Sequence, residues 1–214
     1  MAPRDSAYRR APTQERSRFT VDAIFEAAGK LLDDAGLERA TTARIAHVAG
    51  VSVGSLYQYF PRKEALFGAL TERAMERDLV RVRAAVDDAR EMPVDAGIRH
   101  VMGAALSFAR EQPRLFCWML RYLPALGLTP AVEAFERALA AELRRFLDDH
   151  RAELAPGDPE LHALLGLGAV RGALVVVARE RPSAIEDGTA FELAHELVLA
   201  VLSVRRAGDV SVER

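Results

Sequence analysis

One segment of the chain has polar side chains whose types and spacing suit contact with a polyanion. Residues 41–64 read TTARIAHVAGVSVGSLYQYFPRKE, and no Asp or Glu occurs between Arg39 and Lys63. The whole chain contains 31 Asp and Glu among 214 residues, so a window of this length should hold about three or four carboxylates. Because carboxylates would repel a polyanion, their absence predicts that this segment lies against one.

The exposed side chains of the segment suggest how DNA contacts would be divided between phosphates and bases. Tyr57 and Lys63 have the reach and the donors for phosphates, while the short residues 52–55 allow a close approach to base edges. Gln58 could pair with adenine, and Arg44 could pair with guanine or a phosphate. The residues expected to contact DNA are Thr41, Thr42, Arg44, Ser52, Val53, Gly54, Ser55, Tyr57, Gln58, Tyr59 and Lys63.

Apolar and small residues in the same segment predict the structure that would present these side chains. Ile45 and Leu56 can face a common core, and Gly50 lies where the chain must turn sharply. Glycine accepts a positive φ without strain, and Val51 would fill the inside of the turn. This layout is typical of a helix-turn-helix, in which two helices cross at a steep angle.

The remainder of the chain predicts an all-α fold of about nine helices, because apolar residues recur at helical spacing and strand patterns are nearly absent. Thr41 or Thr42 should cap the second helix, and Ser52 should precede the third. Gly36 should end the first helix, and the Thr129-Pro130 and Asp158-Pro159 pairs should begin two others. The second helix should begin near residue 42 and the third after residue 52. The other predicted helices span about 17–35, 62–90, 93–112, 113–123, 129–154, 159–181 and 189–206.

Composition sets the domain organisation and the expected compartment. We expect a flexible basic arm at residues 1–15, a DNA-binding domain at 16–61, a ligand-binding and dimerisation domain at 62–206, and a tail at 207–214. The net charge of −2 gives no global basic signal, so a nucleic-acid function must rest on local charge. A single cysteine, the lack of a signal-peptide pattern and the lack of an uninterrupted apolar run of 18 residues favour a cytoplasmic protein without a membrane span.

The second half of the chain supplies candidates for a ligand pocket and for a dimer interface. Gly168 and Gly172 are four residues apart on one helix face, where small side chains let another helix approach closely. Two such helices from each subunit would form a four-helix interface. The pocket candidates are Met102, Leu106, Phe108, Phe116, Trp118, Met119, Tyr122 and Leu126; the interface candidates are Leu164, Leu167, Gly168, Arg171, Gly172, Val175, His195, Val198 and Leu202.

Enzymatic and metal-binding patterns are not found in the sequence. His195-Glu196 lacks the second histidine of a zinc-protease helix, because Leu199 occupies that position. The glycines of GLGAVRG have the wrong spacing for a dinucleotide loop and follow no strand. The five histidines are scattered, so we expect no catalytic residue, no metal site and no cofactor.

The sequence TTARIAHVAGVSVGSLYQYFPRKEALFGAL resembles the N-terminal domain of tetracycline-repressor (TetR/AcrR-type) regulators over about residues 15–70. Those regulators have a Thr-rich second helix and Ala-Gly-Val-Ser at the turn. Leu-Tyr-x-Tyr-Phe or Leu-Tyr-x-His-Phe follows, and then Lys-Glu-x-Leu. Pro61-Arg62 is a mild departure from the usual polar pair. The matching positions here are Leu56, Tyr57, Tyr59, Phe60, Lys63, Glu64 and Leu66.

The resemblance implies an all-helical homodimer that represses transcription and leaves its operator DNA when a small ligand binds. The apolar and aromatic pocket candidates predict that this ligand is a small, mostly apolar or aromatic molecule. Two other classes of function stay open at this point. One is a DNA-binding accessory protein without a ligand. The other is a helical enzyme or adaptor that retains the DNA-binding head.

Overall fold

The computed structural model describes residues 15–36, 39–122, 129–154 and 156–202, with the side chains from Ser17 onward. These residues form eleven α-helices and two short 3-10 turns, and they contain no strand. The arm before Glu15, the pocket candidate Leu126 and the tail lie outside the described residues. The helices are α1 (Glu15–Ala35), α2 (Thr42–Val48), α3 (Val53–Tyr59), α4 (Lys63–Asp88), α5 (Val94–Ala105), α6 (Ser107–Glu111), α7 (Pro113–Tyr122), α8 (Thr129–Asp149), α9 (Pro159–Glu180), α10 (Ser183–Glu186) and α11 (Thr189–Val201).

The all-α prediction is confirmed, but α6 and α10 were not expected as separate helices. A single helix was predicted from Pro93 to Gln112, and the structure breaks it at Leu106, where φ is −107° and ψ is 15°. No proline occurs between Pro93 and Pro113, and the nearest glycine, Gly103, lies within α5. Contacts with another part of the fold hold the break in place.

The contact at this break comes from Asp78, a buried carboxylate on α4. One carboxylate oxygen accepts a hydrogen bond from Ser107 Oγ at 2.7 Å, and the other accepts one from the Phe108 backbone N–H at 3.4 Å. Both donors belong to the first turn of α6. A carboxylate that binds the start of a helix satisfies donors that have no partner within the helix, so Asp78 stabilises the bend.

The helix-turn-helix forms from the local signals in its sequence. Thr41 and Ser52 cap α2 and α3, since their hydroxyls accept hydrogen bonds from the backbone N–H groups of Arg44 and Ser55 at 3.3 and 2.9 Å. Gly50 has φ of 69°, as the turn required. Its N–H donates to His47 O and the next N–H donates to Ala46 O, which is the Schellman pattern that ends a helix.

The head formed by α1 to α3 shares its hydrophobic core with the body. One cluster of buried side chains runs from Val21 and Ile24 in α1 to Leu115 in α7 and Ile185 in α10. A second cluster, around Val86 and Phe146, lies farther from the head and joins α4, α5, α8 and α11. The head is therefore packed against the body through apolar contacts, and α4 contributes to both clusters.

Helix α9 is the most apolar long helix among the described residues. By length and composition it could cross a membrane, with a mean hydropathy of 1.9 over its best window. The sequence predicts no membrane span here, because Arg171 interrupts the apolar run. In the fold, α9 packs against α7, α8 and α11, and an apolar strip of the helix remains on the surface.

We expect Gly50→Ala to lower the free energy of unfolding by about 1–2 kcal/mol, because an alanine with positive φ places Cβ close to the carbonyl oxygen. No atom lies within 4 Å of the added Cβ, so the cost should come from the backbone alone. Urea unfolding followed by circular dichroism measures it. The matched control is Gly54→Ala in α3, where an ordinary φ should leave stability unchanged or slightly raised. Equal effects of both substitutions would contradict this account of the turn.

The second stability prediction concerns Asp78→Asn and pH. Burial raises the pKa of the Asp78 carboxyl, and the hydrogen bond from Ser107 only partly offsets this effect. A raised folded-state pKa gives stability that is present below the unfolded-state pKa of about 3.9 and is lost as the pH rises through the folded-state value. The variant should therefore gain stability relative to wild type as the pH rises from about 4 toward neutrality. Urea unfolding at several pH values measures the difference.

The control for this prediction is Asp187→Asn, where the sign is reversed. The backbone N–H of Thr189 donates to Asp187 and lowers the pKa of that carboxyl. A lowered pKa gives stability that is lost as the pH falls, so this variant should lose stability relative to wild type as the pH rises. The same trend in both variants would contradict the burial argument for Asp78.

Candidate nucleic-acid interface and body cavity

The start of α3 presents short side chains on the surface of the head. Ser52, Val53 and Gly54 are exposed, and Val53 is 40% exposed despite being apolar. The hydroxyls of Ser52 and Ser55 are 2.8 Å apart, which holds both side chains against the helix end. The short, uncharged side chains at this point would let the start of α3 approach base edges closely.

Tyr57 and Thr42 connect the two helices on the same surface. The Tyr57 hydroxyl lies 3.2 Å from Thr42 Oγ1, and the tyrosine is 41% exposed. The hydrogen bond fixes the direction of a long, outward side chain. Both hydroxyls can still bind one more group, since a hydroxyl donates once and accepts twice.

The basic groups of the segment lie around this surface. Arg44 is exposed, and its Nη1 donates to the Arg39 carbonyl oxygen at 3.2 Å, which leaves other guanidinium donors available. Gln58 is exposed on α3, and Lys63 is half-buried at the start of α4. Arg62, which precedes α4, provides no side-chain cap for the backbone N–H groups of the first turn.

The structure changes the assignment of Tyr59. Its ring packs against the head core beside Phe60, with ring centroids 6.5 Å apart, and its hydroxyl donates to Ser17 Oγ in α1 at 3.3 Å. Tyr59 therefore holds α3 to α1 and is only partly exposed. From the sequence we expect one of the two tyrosines to be partly packed, but their identical chemistry does not indicate which one.

Val48 is a further exposed apolar residue that the sequence analysis did not select. It is at the end of α2 and is 49% exposed, one turn after Arg44. An exposed valine beside uncharged donors suits apolar contact with a thymine methyl group. The sequence contains a sign of this role. Val48 is apolar and β-branched, but it is not among the buried residues of α2, which are Ile45 and Ala46.

The charges of this surface differ from those of the body. Arg39, Arg44 and Arg62 take part in no ion pair with a described side chain. The arginines of the body are mostly paired with carboxylates, as in Arg83 with Glu142 at 2.9 Å. The head surface therefore keeps positive charge that nearby acids do not neutralise.

The body contains a cavity of about 180 Å³ between the two hydrophobic clusters. Five of the eight sequence-predicted pocket residues line it, while Trp118 and Tyr122 do not and Leu126 lies outside the described residues. The predicted residues that line the cavity are Met102, Leu106, Phe108, Phe116 and Met119. Further lining residues include Met75, Asp78, Ile98, Val132, Phe135, Glu136, Leu139, Leu143, Phe146, His162, Leu167, Val170 and Arg171.

Few polar side chains face this cavity. Glu136 and Arg171 form an ion pair across α8 and α9, with Arg171 Nε 3.0 Å from Glu136 Oε1. Asp78 and His162 are the other two ionisable residues in the lining. A mostly apolar cavity with a few polar groups is typical of sites for small apolar or aromatic molecules.

Trp118 and Cys117 belong to the packing around the cavity. The Trp118 ring is 5.1 Å from Phe67 and 5.6 Å from Tyr122, so it joins α7 to α4. Burial raises the pKa of the Cys117 thiol to about 11. The thiolate, which is the reactive form, is therefore scarce at neutral pH.

The structure corrects the predicted dimer surface. Val198 and Leu202 are buried inside one protomer, and Leu167 lines the cavity. His195 is also buried, with Nδ1 2.9 Å from Arg99 Nη2 and Nε2 3.1 Å from Asp95 Oδ1. Helix α11 is apolar on both sides, so its periodicity did not indicate which side faces the core.

The other predicted interface residues lie on the surface of α9, next to exposed apolar residues that were not among the interface candidates. Leu164, Gly168 and Gly172 are exposed, Val175 is half-buried, and Arg171 lies at the edge with Glu136. Further large apolar residues that are exposed to solvent extend this apolar surface. They are Leu161, Leu164, Leu165 and Val176 on α9 and Leu193 on α11, each between 50% and 65% exposed.

Family models match both parts of the chain. Residues 24–70 match the model of bacterial regulatory proteins of the tetR family, and residues 93–204 match a tetracyclin repressor-like C-terminal domain. The first match contains the helix-turn-helix and the second contains most of the cavity. TetR-family regulators are generally DNA-binding proteins without enzymatic activity.

Individual proteins are similar to parts or to most of the chain. The nucleoid occlusion factor SlmA of Pasteurella multocida is 38% identical over 85 residues, which is 40% of this chain and 42% of that protein. The chain thus matches less than half the length of such curated relatives. SmeT, described as the repressor of the Stenotrophomonas maltophilia multidrug efflux pump SmeDEF, is 26% identical with a TM-score of 0.65, over 92% of this chain and 98% of SmeT. A SmeT–triclosan complex is 24% identical with a TM-score of 0.60, over 91% and 96% of the two chains.

The helix-turn-helix with an acid-free surface, the helical body with its apolar cavity and the matches to both family models lead to one conclusion. The chain belongs to the TetR family of DNA-binding transcriptional regulators.

Proposed function

We propose that the protein is a homodimeric, cytoplasmic repressor that leaves its operator DNA when a small, mostly apolar or aromatic molecule enters the body cavity. The observation that carries this proposal is the course of α4. The helix begins at Lys63, directly after the helix-turn-helix, and its residues Met75 and Asp78 line the cavity. One rigid element therefore connects the proposed DNA surface to the proposed ligand.

A dimer must place its two copies of α3 in successive major grooves, about 34–36 Å apart or a multiple of that distance. A ligand that moves α4 would change this separation and would bind better to the state that cannot bind DNA. By linkage, operator DNA would then weaken ligand binding by the same factor. Equal separations of the heads with and without ligand in solution scattering would contradict this coupling.

The structural relatives support an apolar aromatic ligand for this site. SmeT is described as a repressor, and the complex with triclosan shows that a protein of this fold accepts a small aromatic molecule. The cavity of the present chain has aromatic walls at Phe108, Phe116 and Phe146. These rings supply large apolar contact areas for such a molecule.

The similarity to SlmA favours a second candidate, an accessory DNA-binding protein without a ligand. The matched region of about 40% of the chain has the highest identity among the similarities described above. A thermal-shift screen with apolar and aromatic compounds separates the two functions. A ligand of the folded state raises the melting temperature in a concentration-dependent way, and a protein without a ligand site shows no such rise.

We expect Tyr57→Ala to weaken binding to operator DNA by at least about tenfold, because a lost hydrogen bond to a charged phosphate is worth about 1.5–3 kcal/mol. Fluorescence anisotropy with the DNA upstream of the gene, at two salt concentrations, measures this loss. A dimer with about six phosphate contacts should show a log–log salt slope near −5. Lys63→Ala should reduce that slope by about 2, since each subunit loses one contact.

Tyr122→Ala is the matched control, because Tyr122 is exposed to a similar degree and lies in the body. Its affinity and salt slope should equal those of wild type. Scrambled DNA of equal length should bind more weakly than the upstream region. Equal effects of Tyr57→Ala and Tyr122→Ala would contradict the assignment of the DNA-binding surface to the head. Equal binding to the upstream region and to scrambled DNA would mean that the operator must be selected from random DNA pools.

The exposed apolar strip of α9 predicts where the second copy binds. Leu165 is 53% exposed next to Gly168 and Gly172, whose lack of a Cβ lets the partner helix approach closely. We expect Leu165→Glu to shift the protein to a monomer, because it places a charge in an apolar interface. Light scattering coupled to size-exclusion chromatography measures the mass. Val80→Glu on α4, at a valine that is 65% exposed, should leave the dimer intact, and a monomer in both variants would contradict this surface.

A further inference from the structure

Asp78 is a buried acid in an otherwise apolar stripe of α4. The helix presents Met75, Asp78 and Val82 to the interior at helical spacing, and Asp78 is only 4% exposed. It also lines the cavity. Burial of a carboxylate costs free energy unless its oxygens receive hydrogen bonds. The donors around Asp78 therefore show how far this cost is offset.

The hydrogen bonds around Asp78 leave part of its accepting capacity free. An ionised carboxylate can accept about four hydrogen bonds. Asp78 receives a short one from Ser107 Oγ at 2.7 Å and a long one from the Phe108 N–H at 3.4 Å. The nearest guanidinium nitrogen, on Arg81, is 3.6 Å away and belongs to a side chain that also binds Ser107 and Glu111. The raised pKa of Asp78, caused first by burial, agrees with this incomplete solvation.

The charges around the carboxylate restrict the charge of a ligand. An anion would meet the negative charge of Asp78 itself, because the other carboxylate of the cavity wall, Glu136, is already paired with Arg171. A cation would approach the positive charges of Arg81 and Arg77, both of which act on Asp78. A neutral donor avoids both repulsions and still gives a strong bond, since hydrogen bonds to an ionised acceptor are about twice as strong as neutral ones.

We propose that Asp78 is the polar recognition point of the cavity and that the ligand is a neutral, apolar molecule whose hydroxyl group donates a hydrogen bond to this carboxylate. The inference rests on the proposed function, because it names the ligand class of the same cavity. The walls from Phe108, Phe116 and Met119 hold the apolar part, and the hydroxyl, phenolic or alcoholic, fills the free accepting position.

The same carboxylate connects ligand binding to helix positions. Asp78 on α4 holds the first turn of α6 through Ser107 and Phe108. A ligand hydroxyl that fills the free accepting position binds the same carboxylate that receives these two donors. Binding therefore acts directly at the contact between α6 and α4, the helix that begins at the DNA-binding head.

The test uses para-propylphenol and para-propylanisole, which have the same apolar body and differ in whether the oxygen carries a donor. Isothermal titration of the full chain without DNA measures both affinities. The phenol should bind at least about tenfold more tightly than its methyl ether, a ratio equal to about 1.4 kcal/mol. The ether has one more methyl group, so a nonspecific apolar effect would favour the ether.

Variants assign this preference to Asp78. In Asp78→Asn the amide oxygen is a neutral acceptor, so the ratio should fall to about threefold. In Asp78→Leu no acceptor remains, and the two compounds should bind within about twofold of each other. Asp88→Asn, at an exposed carboxylate on the same helix, should keep the wild-type ratio. Circular dichroism checks that each variant is folded, and Asp78→Asn keeps the test valid if Asp78→Leu is not folded.

Each outcome decides the proposal. A tenfold preference that disappears stepwise in the Asp78 variants supports it. Equal binding of the two compounds, no binding of either one, or an unchanged ratio in Asp78→Asn overturns it. Because the titration contains no DNA, failure of the repressor function is detected separately. In that case the phenol binds through Asp78 but does not release operator DNA in the anisotropy assay.

Discussion

The fold depends on the packing of α4 against both hydrophobic clusters. Its first turns bring Leu66 and Phe67 into the core shared with the head, and its later turns bring Val82 and Val86 into the core of the body. An α-helix rises about 1.5 Å per residue, so the 26 residues of α4 span about 39 Å without a flexible joint. The cavity lies beside the middle of this helix, between the two clusters. A molecule that contacts Met75 or Asp78 in the cavity therefore touches a helix that begins directly after the helix-turn-helix.

The head could be predicted from the sequence because its structure follows from local chemistry. Thr41 and Ser52 cap their helices with their own hydroxyls, and Gly50 adopts the positive φ that ends α2. These signals act over two to four residues and do not depend on the rest of the fold. The lack of carboxylates in the segment is also visible without a structure. The packing of Tyr59 against α1 was not predictable in this way, because it depends on where a distant helix lies.

The body could be predicted only as a set of helices. The break at Leu106 is stabilised by Asp78, which lies 28 residues earlier in the chain, and Leu106 itself is neither a proline nor a glycine. More than half of the residues that line the cavity belong to α8 and α9. In these helices, apolar residues recur at the same spacing whether they line a cavity or pack against another helix. One signal was available for Asp78, since an acid on the buried stripe of a helix, between Met75 and Val82, requires a partner or a function.

Helix α9 places the cavity and the proposed dimer surface on opposite sides of one element. Gly166, Val170 and Leu174 face the cavity, while Leu165 and Gly172 face outward. Protein interiors are close-packed, so a ligand that displaces the inner side of a helix also displaces its outer side. If two copies pair through α9, the ligand of one subunit acts on the partner through this helix and on its own head through α4. The separation of the two heads then depends on both helices, because one sets the angle within a subunit and the other sets the angle between subunits.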